Sequence, residues 1–146
     1  MSSSPHVAWL RLSPTSGQNV GVSSLSFVAD LGIDGDRHAK PESRNQVLLM
    51  DTETLDVLEL GPGDIRENVA TTGIDLASLT EGDRLRIGAE VEVVISHPCD
   101  PCYKMDILRP GLQEEIRGRR GMLATVSAGG VAVAGDPITL TAATEA

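Results

Sequence analysis

One stretch of alternating side chains, residues 83–96, most constrains how this chain can fold. Polar and apolar residues alternate there with a period of two on both sides of Gly88-Ala89. Such alternation is typical of strands that bury one face, and a glycine-containing break between two alternating runs indicates a β-hairpin. The apolar residues that are expected to share the buried face are Leu85, Ile87, Val91, Val93 and Ile95. The pattern therefore favours an antiparallel, strand-rich fold.

The rest of the chain predicts more short strands and few helices. Strands are expected at residues 7–12, 25–28, 46–50, 68–71, 122–126 and 138–140. A helix is predicted at residues 52–60, with Asp51 or Thr52 as its N-cap and Gly61-Pro62 as its end. A second, short helix is predicted at residues 111–117. Many short strands with glycines at the turns indicate a mainly β fold with a few short helices, closed or nearly closed into a β-barrel.

Composition narrows the class of protein. A chain of 146 residues suits one domain, which buries about 68–70% of its unfolded surface and needs no disulfide or metal staple. The three aromatic residues, Trp9, Phe27 and Tyr103, are too few for the stacking surface of a single-stranded nucleic-acid binder. The net charge of −9 disfavours phosphate backbones and anionic membranes. With no apolar run near the ~18 residues of a membrane span and no secretory leader, we expect a cytoplasmic domain with flexible ends at residues 1–6 and 141–146.

Positive charge is concentrated in one part of this acidic chain. Five cationic residues lie within 17 positions that hold only three acidic ones. They are Lys104, Arg109, Arg117, Arg119 and Arg120. This basic island suits a small anionic ligand, and its alternative interpretation is a solvated loop with scattered arginines.

Two cysteines, Cys99 and Cys102, follow the second hairpin strand and precede a predicted helical turn. A cysteine near a helix start, with Lys104 close by, is expected to be partly thiolate, which can act as a nucleophile, a redox partner or a soft-metal ligand. Other interpretations remain open. Structural zinc needs two more ligands, and the spacing of His38 and His97 matches no standard zinc module. A thioredoxin-like dithiol needs a βαβ context instead of a hairpin, and both thiols could also be buried and inert.

Residues 32–40 form a second candidate, a polar loop between two glycines. Its charged members are Asp34, Asp36, Arg37, His38 and Lys40. Such a loop either caps its own backbone amides or orients an anion and supplies a proton. The acidic spacing does not match a calcium-binding loop.

Residues 65–69 form a third candidate. On a strand, Arg66 and Asn68 would share one face, and Glu67 would point away from them. A guanidinium and an amide on one face suit a phosphate or the edge of a heterocycle.

Seven motifs in order along the chain resemble a known family. They are Gly-Asp-Arg-His (35–38), Arg-Glu-Asn (66–68), Thr-Thr-Gly-Ile-Asp-Leu (71–76), Glu-Gly-Asp-Arg-Leu-Arg-Ile-Gly (81–88), Pro-Cys-Tyr-Lys-Met-Asp (101–106), Gly-Arg-Arg-Gly (118–121) and Ala-Gly-Asp-Pro-Ile (134–138). Together they resemble the MOSC domain, which is named for the C-terminal domain of molybdenum cofactor sulfurases. The resemblance covers residues 7–140.

The resemblance implies a strand-rich barrel that binds the molybdenum cofactor, a molybdopterin with a terminal phosphate. The family's cysteine in Pro-Cys-x-Lys corresponds to Cys102, which ligates molybdenum in relatives that reduce N-hydroxylated compounds and has been proposed as a sulfur carrier in sulfurases. The cofactor-binding residues that we expect are Arg37, Arg66, Asn68, Lys104, Arg119 and Arg120.

Two functions follow from this resemblance. The first is an enzyme that reduces N-oxygenated compounds at a molybdenum held by Cys102, with His38 or Asp36 as the proton source and a separate electron-donor protein. The second is a module without turnover, which carries a persulfide received from a cysteine desulfurase or delivers the cofactor. Cys99 departs from the family pattern and favours the sulfur chemistry of this second function.

Overall fold

The structure, a computed structural model, describes residues 4–141. Its strands are β1 His6–Leu12, β2 Val20–Val22, β3 Ser24–Val28, β4 Gly32–Ile33, β5 Val47–Asp51, β6 Val69–Thr72, β7 Arg84–Ile87, β8 Val91–Pro98, β9 Met122–Ala128, β10 Gly130–Val133 and β11 Ile138–Thr141. The helices are α1 Thr52–Val57, α2 Tyr103–Leu108 and α3 Leu112–Glu115, and a single 3₁₀ turn spans Leu76–Ser78. The mainly β prediction with a few short helices is confirmed.

The predicted hairpin is confirmed in its strands and in its register. β7 and β8 pair antiparallel, with Leu85 opposite Val93 and Ile87 opposite Val91. All four side chains are fully buried. The alternation of period two therefore identified both the strands and the face that packs into the core.

The strands form two sheets. The larger has eight strands in the order β11-β7-β8-β9-β5-β6-β1-β2, and the smaller has the order β10-β3-β4. β5 and β6 pair in parallel, whereas β5 pairs antiparallel with β9 on its other side. The small sheet contributes Leu25, Phe27 and Ala132 to the main core cluster.

The prediction of a closed or nearly closed barrel is wrong. Within residues 4–141 the two edge strands of the large sheet, β2 and β11, do not pair with each other, and the small sheet is not joined to the large one by a ladder. One isolated bridge, between His6 and Pro137, connects the start of β1 to the turn before β11. Alternation along a strand determines its buried face but not whether distant edges meet, so the closure could not be inferred from it.

A second apolar cluster lies on the other face of β5 and carries all three helices. Because successive residues on a strand face opposite sides, Leu49 belongs to the main core and Met50 to the second cluster. The other buried members of the second cluster are Leu55, Leu58, Ile65, Met105, Leu112 and Ile116. The helices are thereby fixed on the side of β5 that carries Leu48, which packs against this cluster and also lines the candidate site.

Both predicted helices are found at the predicted positions, but each is shorter than predicted. The side chain of Asp51 accepts a hydrogen bond from Thr54 N at 2.9 Å and caps α1, which ends at Val57. None of the helices within the described residues is long and apolar enough to cross a membrane. Of the ends predicted to be flexible, residues 1–3 and 142–146 lie outside the described residues, whereas His6 and Thr141 belong to strands.

Candidate functional site

A cleft of about 610 Å³ brings together most of the residues that the sequence singled out. Seven of the nine predicted site residues line it: Arg37, His38, Arg66, Asn68, Cys102, Lys104 and Arg120. Three separate parts of the chain supply them, namely the loop after β4, the turn before β6, and the segment from the end of β8 to the start of β9. They meet over β5 and β9, where Leu48 and Leu123, which are paired in register, also line the cleft.

Asp36 does not line the cleft but holds two residues that do. One carboxylate oxygen accepts hydrogen bonds from Ser13 N and Asn68 Nδ2, each at 2.9 Å. The other oxygen accepts from the backbone of His38 at 2.9 Å and contacts His38 Nδ1 at 2.8 Å. The Asp36 side chain has no exposed surface, so it acts through His38 and Asn68 and is a positioning residue in this structure.

The hydrogen bonds of Asp36 determine both the ionisation of its carboxyl group and the orientation of the His38 imidazole. Burial opposes the charge on Asp36, but hydrogen bonds from the His38 side chain and backbone and from Ser13 N outweigh it and lower the pKa of the carboxyl. A carboxylate beside Nδ1 requires the proton on that nitrogen, which leaves His38 Nε2 to exchange a proton or accept a hydrogen bond. Arg37 Nη1 lies 3.5 Å from Nε2.

The prediction that Arg66 and Asn68 share a strand face is wrong, although both line the cleft. β6 begins only at Val69, and Arg66 has a left-handed backbone with φ of 62°. Glu67 also lies on this turn and not on a strand. Its buried carboxylate accepts from Trp9 Nε1, which is distant in sequence, and from Gly63 N in the same turn, both at 2.8 Å. These contacts hold the turn that presents Arg66 to the cleft.

Asn68 is held by its own set of contacts in addition to Asp36. Its Oδ1 accepts from Leu48 N at 3.0 Å, and its Nδ2 also donates to Arg11 O at 3.2 Å. The amide therefore connects β5, β1 and the loop that carries Asp36.

Arg120 is the most informative cation of the site. It is only 9% exposed, and one of its terminal nitrogens donates to Ile65 O at 3.0 Å. Among residues 4–141, Nη1 of the same guanidinium is buried and has no hydrogen-bonding partner. Because an unsatisfied buried donor costs about 1–3 kcal/mol and more when charged, Arg120 is the side chain of this cleft that an anion would stabilise most.

The two thiols share the cleft but differ in environment. Cys102 is exposed at the N-cap of α2, whereas Cys99 is half-buried. Burial raises the pKa of the Cys99 thiol, an effect that the nearby charge of Arg120 opposes. The thiol available to solvent and ligands is therefore Cys102, with a second thiol behind it.

The basic island does not form one anion site. Arg109 donates to Leu58 O at 2.7 Å, and Arg117 pairs with Glu114 at 3.0 Å, so both have structural partners. Arg119 lines two smaller cavities and not the cleft. Proximity in sequence grouped five cations, but α2 and α3 turn several of them away from one another.

The sequence analysis missed several cleft residues. Asn45, whose Oδ1 accepts from His97 Nε2 at 2.6 Å, and Ser13 are polar residues of the lining. Three exposed apolar residues of α2 also line the cleft: Tyr103, Ile107 and Leu108. Their spacing on a short helix indicates one face, but a sequence alone does not distinguish an exposed apolar face from a core-facing one.

Two of the seven motifs serve turns instead of the site. In the motif at 81–88, Asp83 accepts from Thr80 N at 2.9 Å. In the motif at 134–138, Asp136 accepts from Val133 N at 2.8 Å. These motifs stabilise the connections around the hairpin, and their residues do not line the cleft.

Within the described residues no group of three or more histidine, cysteine or acidic side chains is arranged to hold a metal ion. A metal in this cleft would need ligands that the protein does not supply. A sulfur-rich organic cofactor together with the Cys102 thiolate is a donor set of that kind.

Comparisons with known proteins agree with the motifs. A sequence model of the MOSC domain matches residues 34–139. YuaD from Bacillus subtilis has a similar structure, with a TM-score of 0.79 and 21% identity over 96% of this chain and 97% of that one. YiiM from Escherichia coli gives a TM-score of 0.71 at 21% identity, over 93% of this chain and 69% of that one. YiiM from Geobacillus stearothermophilus gives 0.72 at 19%, over 94% and 75%. A search of curated proteins found no match.

Proposed function

This chain belongs to the MOSC domain family, and from that premise we propose that it binds the molybdenum cofactor in the cleft and reduces N-oxygenated compounds at a molybdenum held by Cys102. The observation that carries the proposal is the combination of an exposed thiol, Cys102, and a buried, incompletely bonded cation, Arg120, in one cleft. A phosphate-bearing cofactor with a soft metal requires both.

The charge of the cleft suits an anionic cofactor. Four cationic side chains and a single carboxylate, that of Asp64, line it in a protein with a net charge of −9. The unpaired donor of Arg120 and the cations Lys104 and Arg66 would hold the terminal phosphate and other oxygen atoms of the cofactor. Both Nδ2 hydrogens of Asn68 are donated to Arg11 O and Asp36, so its Oδ1 is the atom that would accept a hydrogen bond from the heterocycle.

The residues also fit the metal chemistry. When bound, the cofactor supplies the metal-centred oxygen transfer, and the protein supplies one thiolate, positioning and proton delivery. Cys102 is the exposed thiol and would be the ligand. Cys99 is less suited because burial raises its pKa and disfavours the thiolate.

His38 is the residue that we assign to proton transfer. Reduction of an N–OH group consumes two electrons and two protons and releases water. His38 lines the cleft, its Nδ1 is bound to Asp36, and its Nε2 can pass protons between solvent and the site. The electrons would come from a separate protein, and we propose a cytoplasmic setting because thiols remain reduced there.

The molybdenum content of the purified chain tests this proposal. Wild type, Cys102→Ser and the matched Cys99→Ser variant would be produced in a cofactor-competent host and in a cofactor-deficient one, and molybdenum per chain measured by plasma mass spectrometry. The expected result is nearly stoichiometric molybdenum in wild type and Cys99→Ser, and loss of most of it in Cys102→Ser and in the deficient host. Equal molybdenum in wild type and Cys102→Ser would contradict ligation by Cys102.

The reaction is tested with the same samples. Dithionite-reduced methyl viologen would serve as electron source, and the oxidation of the dye by an N-hydroxylated probe would be followed by absorbance. Turnover is expected in wild type and absent in Cys102→Ser. A molybdenum-loaded protein that reduces no N-hydroxylated probe would contradict the reductase function.

A persulfide carrier is the second candidate, and the observation that favours it is the presence of Cys99 in the same cleft as Cys102. A neighbouring thiol can attack the inner sulfur of a Cys102 persulfide, forming a disulfide and releasing hydrosulfide. The test is incubation with a cysteine desulfurase and free cysteine, followed by intact mass measurement. In the Cys99→Ser variant the persulfide cannot be resolved, so a gain of one sulfur atom there that is absent in Cys102→Ser supports the carrier. No gain in Cys99→Ser contradicts it.

A further inference from the structure

The short helix after Cys102 carries an unusual exposed apolar face. Tyr103 is 66% exposed, Ile107 is 74% exposed, and Leu108 is also exposed. Tyr103 and Ile107 are four residues apart, so they lie on the same side of α2. All three line the cleft. Single exposed apolar residues are ordinary, but three of them at the mouth of a cleft indicate a contact surface.

The orientation of this face is fixed by the packing of the helix. On the opposite side of α2, Met105 is buried in the second apolar cluster. The end of α2 is held because Arg109 donates to Leu58 O at 2.7 Å, and the start of α3 is held because Gln113 N donates to Asp106 at 2.8 Å. The helix therefore cannot simply rotate its exposed face into the core.

The lining of the cleft combines polar groups with exposed apolar ones. Arg120, His38 and Asn68 come from loops beside the strands, whereas Tyr103, Ile107 and Leu108 come from α2, and Leu48 and Leu123 add apolar surface from β5 and β9. A ligand complementary to both would carry a polar, oxygen-bearing group at one end and an apolar body at the other.

We propose that the exposed face of α2, formed by Tyr103, Ile107 and Leu108, is the substrate-binding wall and selects N-oxygenated substrates that carry an apolar ring beside the N–OH group. The inference rests on the proposed reductase function and adds the substrate class to it. The occupant is a small molecule because the residues line a concave cleft and not a flat surface. Docking of a protein electron donor on α2 is the outcome that would oppose it.

Two hydroxamic acids with the same reacting group form a matched pair of probes. Benzohydroxamate and acetohydroxamate are both reduced to the amide with two electrons from the viologen dye, two protons and release of water. They differ only in the ring or methyl group. Wild type is expected to prefer benzohydroxamate in kcat/KM by roughly tenfold or more, because a larger apolar body buries more surface.

The variants Ile107→Ser and Tyr103→Ser test the wall, and Val57→Ser is the matched control. Val57 is 68% exposed and lies on α1, where it lines a different cavity. The expected result is that each α2 variant lowers kcat/KM for benzohydroxamate several-fold more than for acetohydroxamate, while molybdenum per chain stays within twofold of wild type. Val57→Ser is expected to leave the preference unchanged. An unchanged preference in both α2 variants overturns the proposal.

A binding measurement separates failure of the wall from failure of the reductase function. The dissociation constants of the products, benzamide and acetamide, would be measured by NMR titration of the molybdenum-loaded protein. Tighter binding of benzamide that is lost in Ile107→Ser supports the wall even if neither hydroxamate is reduced. Equal binding of both amides overturns the proposal. It is also overturned if an α2 variant leaves the viologen-driven rates unchanged and slows only the reaction driven by a protein electron donor.

Discussion

Replacement of the buried carboxylate by an amide, Asp36→Asn, is the most demanding perturbation of the candidate site. Asp36 accepts four hydrogen bonds, two on each oxygen, from Ser13, Asn68 and His38. An asparagine offers only one acceptor oxygen, so whichever way its amide lies, an NH₂ group faces one pair of donors. The variant therefore loses two charge-assisted hydrogen bonds in a fully buried position.

The size of the effect follows from those two bonds. A hydrogen bond to a charged group contributes about 1.5–3 kcal/mol, and the variant also escapes the cost of burying a charge. We expect a net loss of about 2–4 kcal/mol in the free energy of unfolding. The exposed Asp34 in the same loop supplies the control, because Asp34→Asn changes the same charge and is expected to cost under about 0.5 kcal/mol.

The pH dependence provides a second, independent readout. The folded pKa of Asp36 lies below its ordinary value of 3.8, so its stabilisation is fully present above that value and is lost as the pH falls through the folded pKa. The difference between wild type and Asp36→Asn should therefore shrink as the pH falls below 3.8.

Urea unfolding followed by the fluorescence of the single tryptophan, Trp9, measures both effects. Wild type, Asp36→Asn and Asp34→Asn would be compared at several pH values. If Asp36→Asn costs no more than Asp34→Asn at neutral pH, the network around Asp36 does not hold the site and the reasoning is refuted. A difference that grows toward acid pH would refute the sign of the pKa shift.

Two further predictions concern the support of the cleft. Gly121, next to Arg120, has a φ of 102°, and a Cβ there would come closer than 3.0 Å to Leu49 O. Gly121→Ala is therefore expected to lower the free energy of unfolding in urea by at least about 2 kcal/mol. If it costs less than Gly118→Ala, the same change at an exposed turn, the close approach is contradicted. Arg109→Ala removes the bond to Leu58 O and should lower the free energy of unfolding by about 1–2 kcal/mol, with faster amide exchange in α2 and α3; exchange that is unchanged in both helices would contradict the anchoring role.

The elements that sequence analysis predicted well depend on local rules. The faces of β7 and β8 follow from alternation of period two, and the cap of α1 follows from a carboxylate three residues before an amide, as the bond from Thr54 to Asp51 shows. Both features involve neighbours in sequence. They require no knowledge of what packs against them.

The errors arise where distant residues decide the geometry. Glu67 accepts from Trp9, 58 positions away, and that contact, together with the positive φ of Arg66, places Arg66 on a turn before β6 and not on a strand face shared with Asn68. The barrel closure depended on two edge strands at opposite ends of one sheet. Neither relation leaves a periodic signal in the sequence.

The candidate site was likewise predicted from the sequence only in part. Residue types and the family resemblance singled out Cys102 and Arg120, but only the fold shows that Arg120 is buried with a free donor and that Arg109 is bound to a backbone carbonyl. The apolar face of α2 was missed because Ile107 was indistinguishable from a core residue in the sequence.

The most direct test of the central claim is molybdenum X-ray absorption on the loaded protein. We expect the Cys99→Ser variant to show the same sulfur neighbours around molybdenum as wild type. Where Cys102→Ser retains enough metal to measure, its spectrum should show one sulfur neighbour fewer. An unchanged sulfur shell in Cys102→Ser would contradict the assignment of this thiol as the protein ligand.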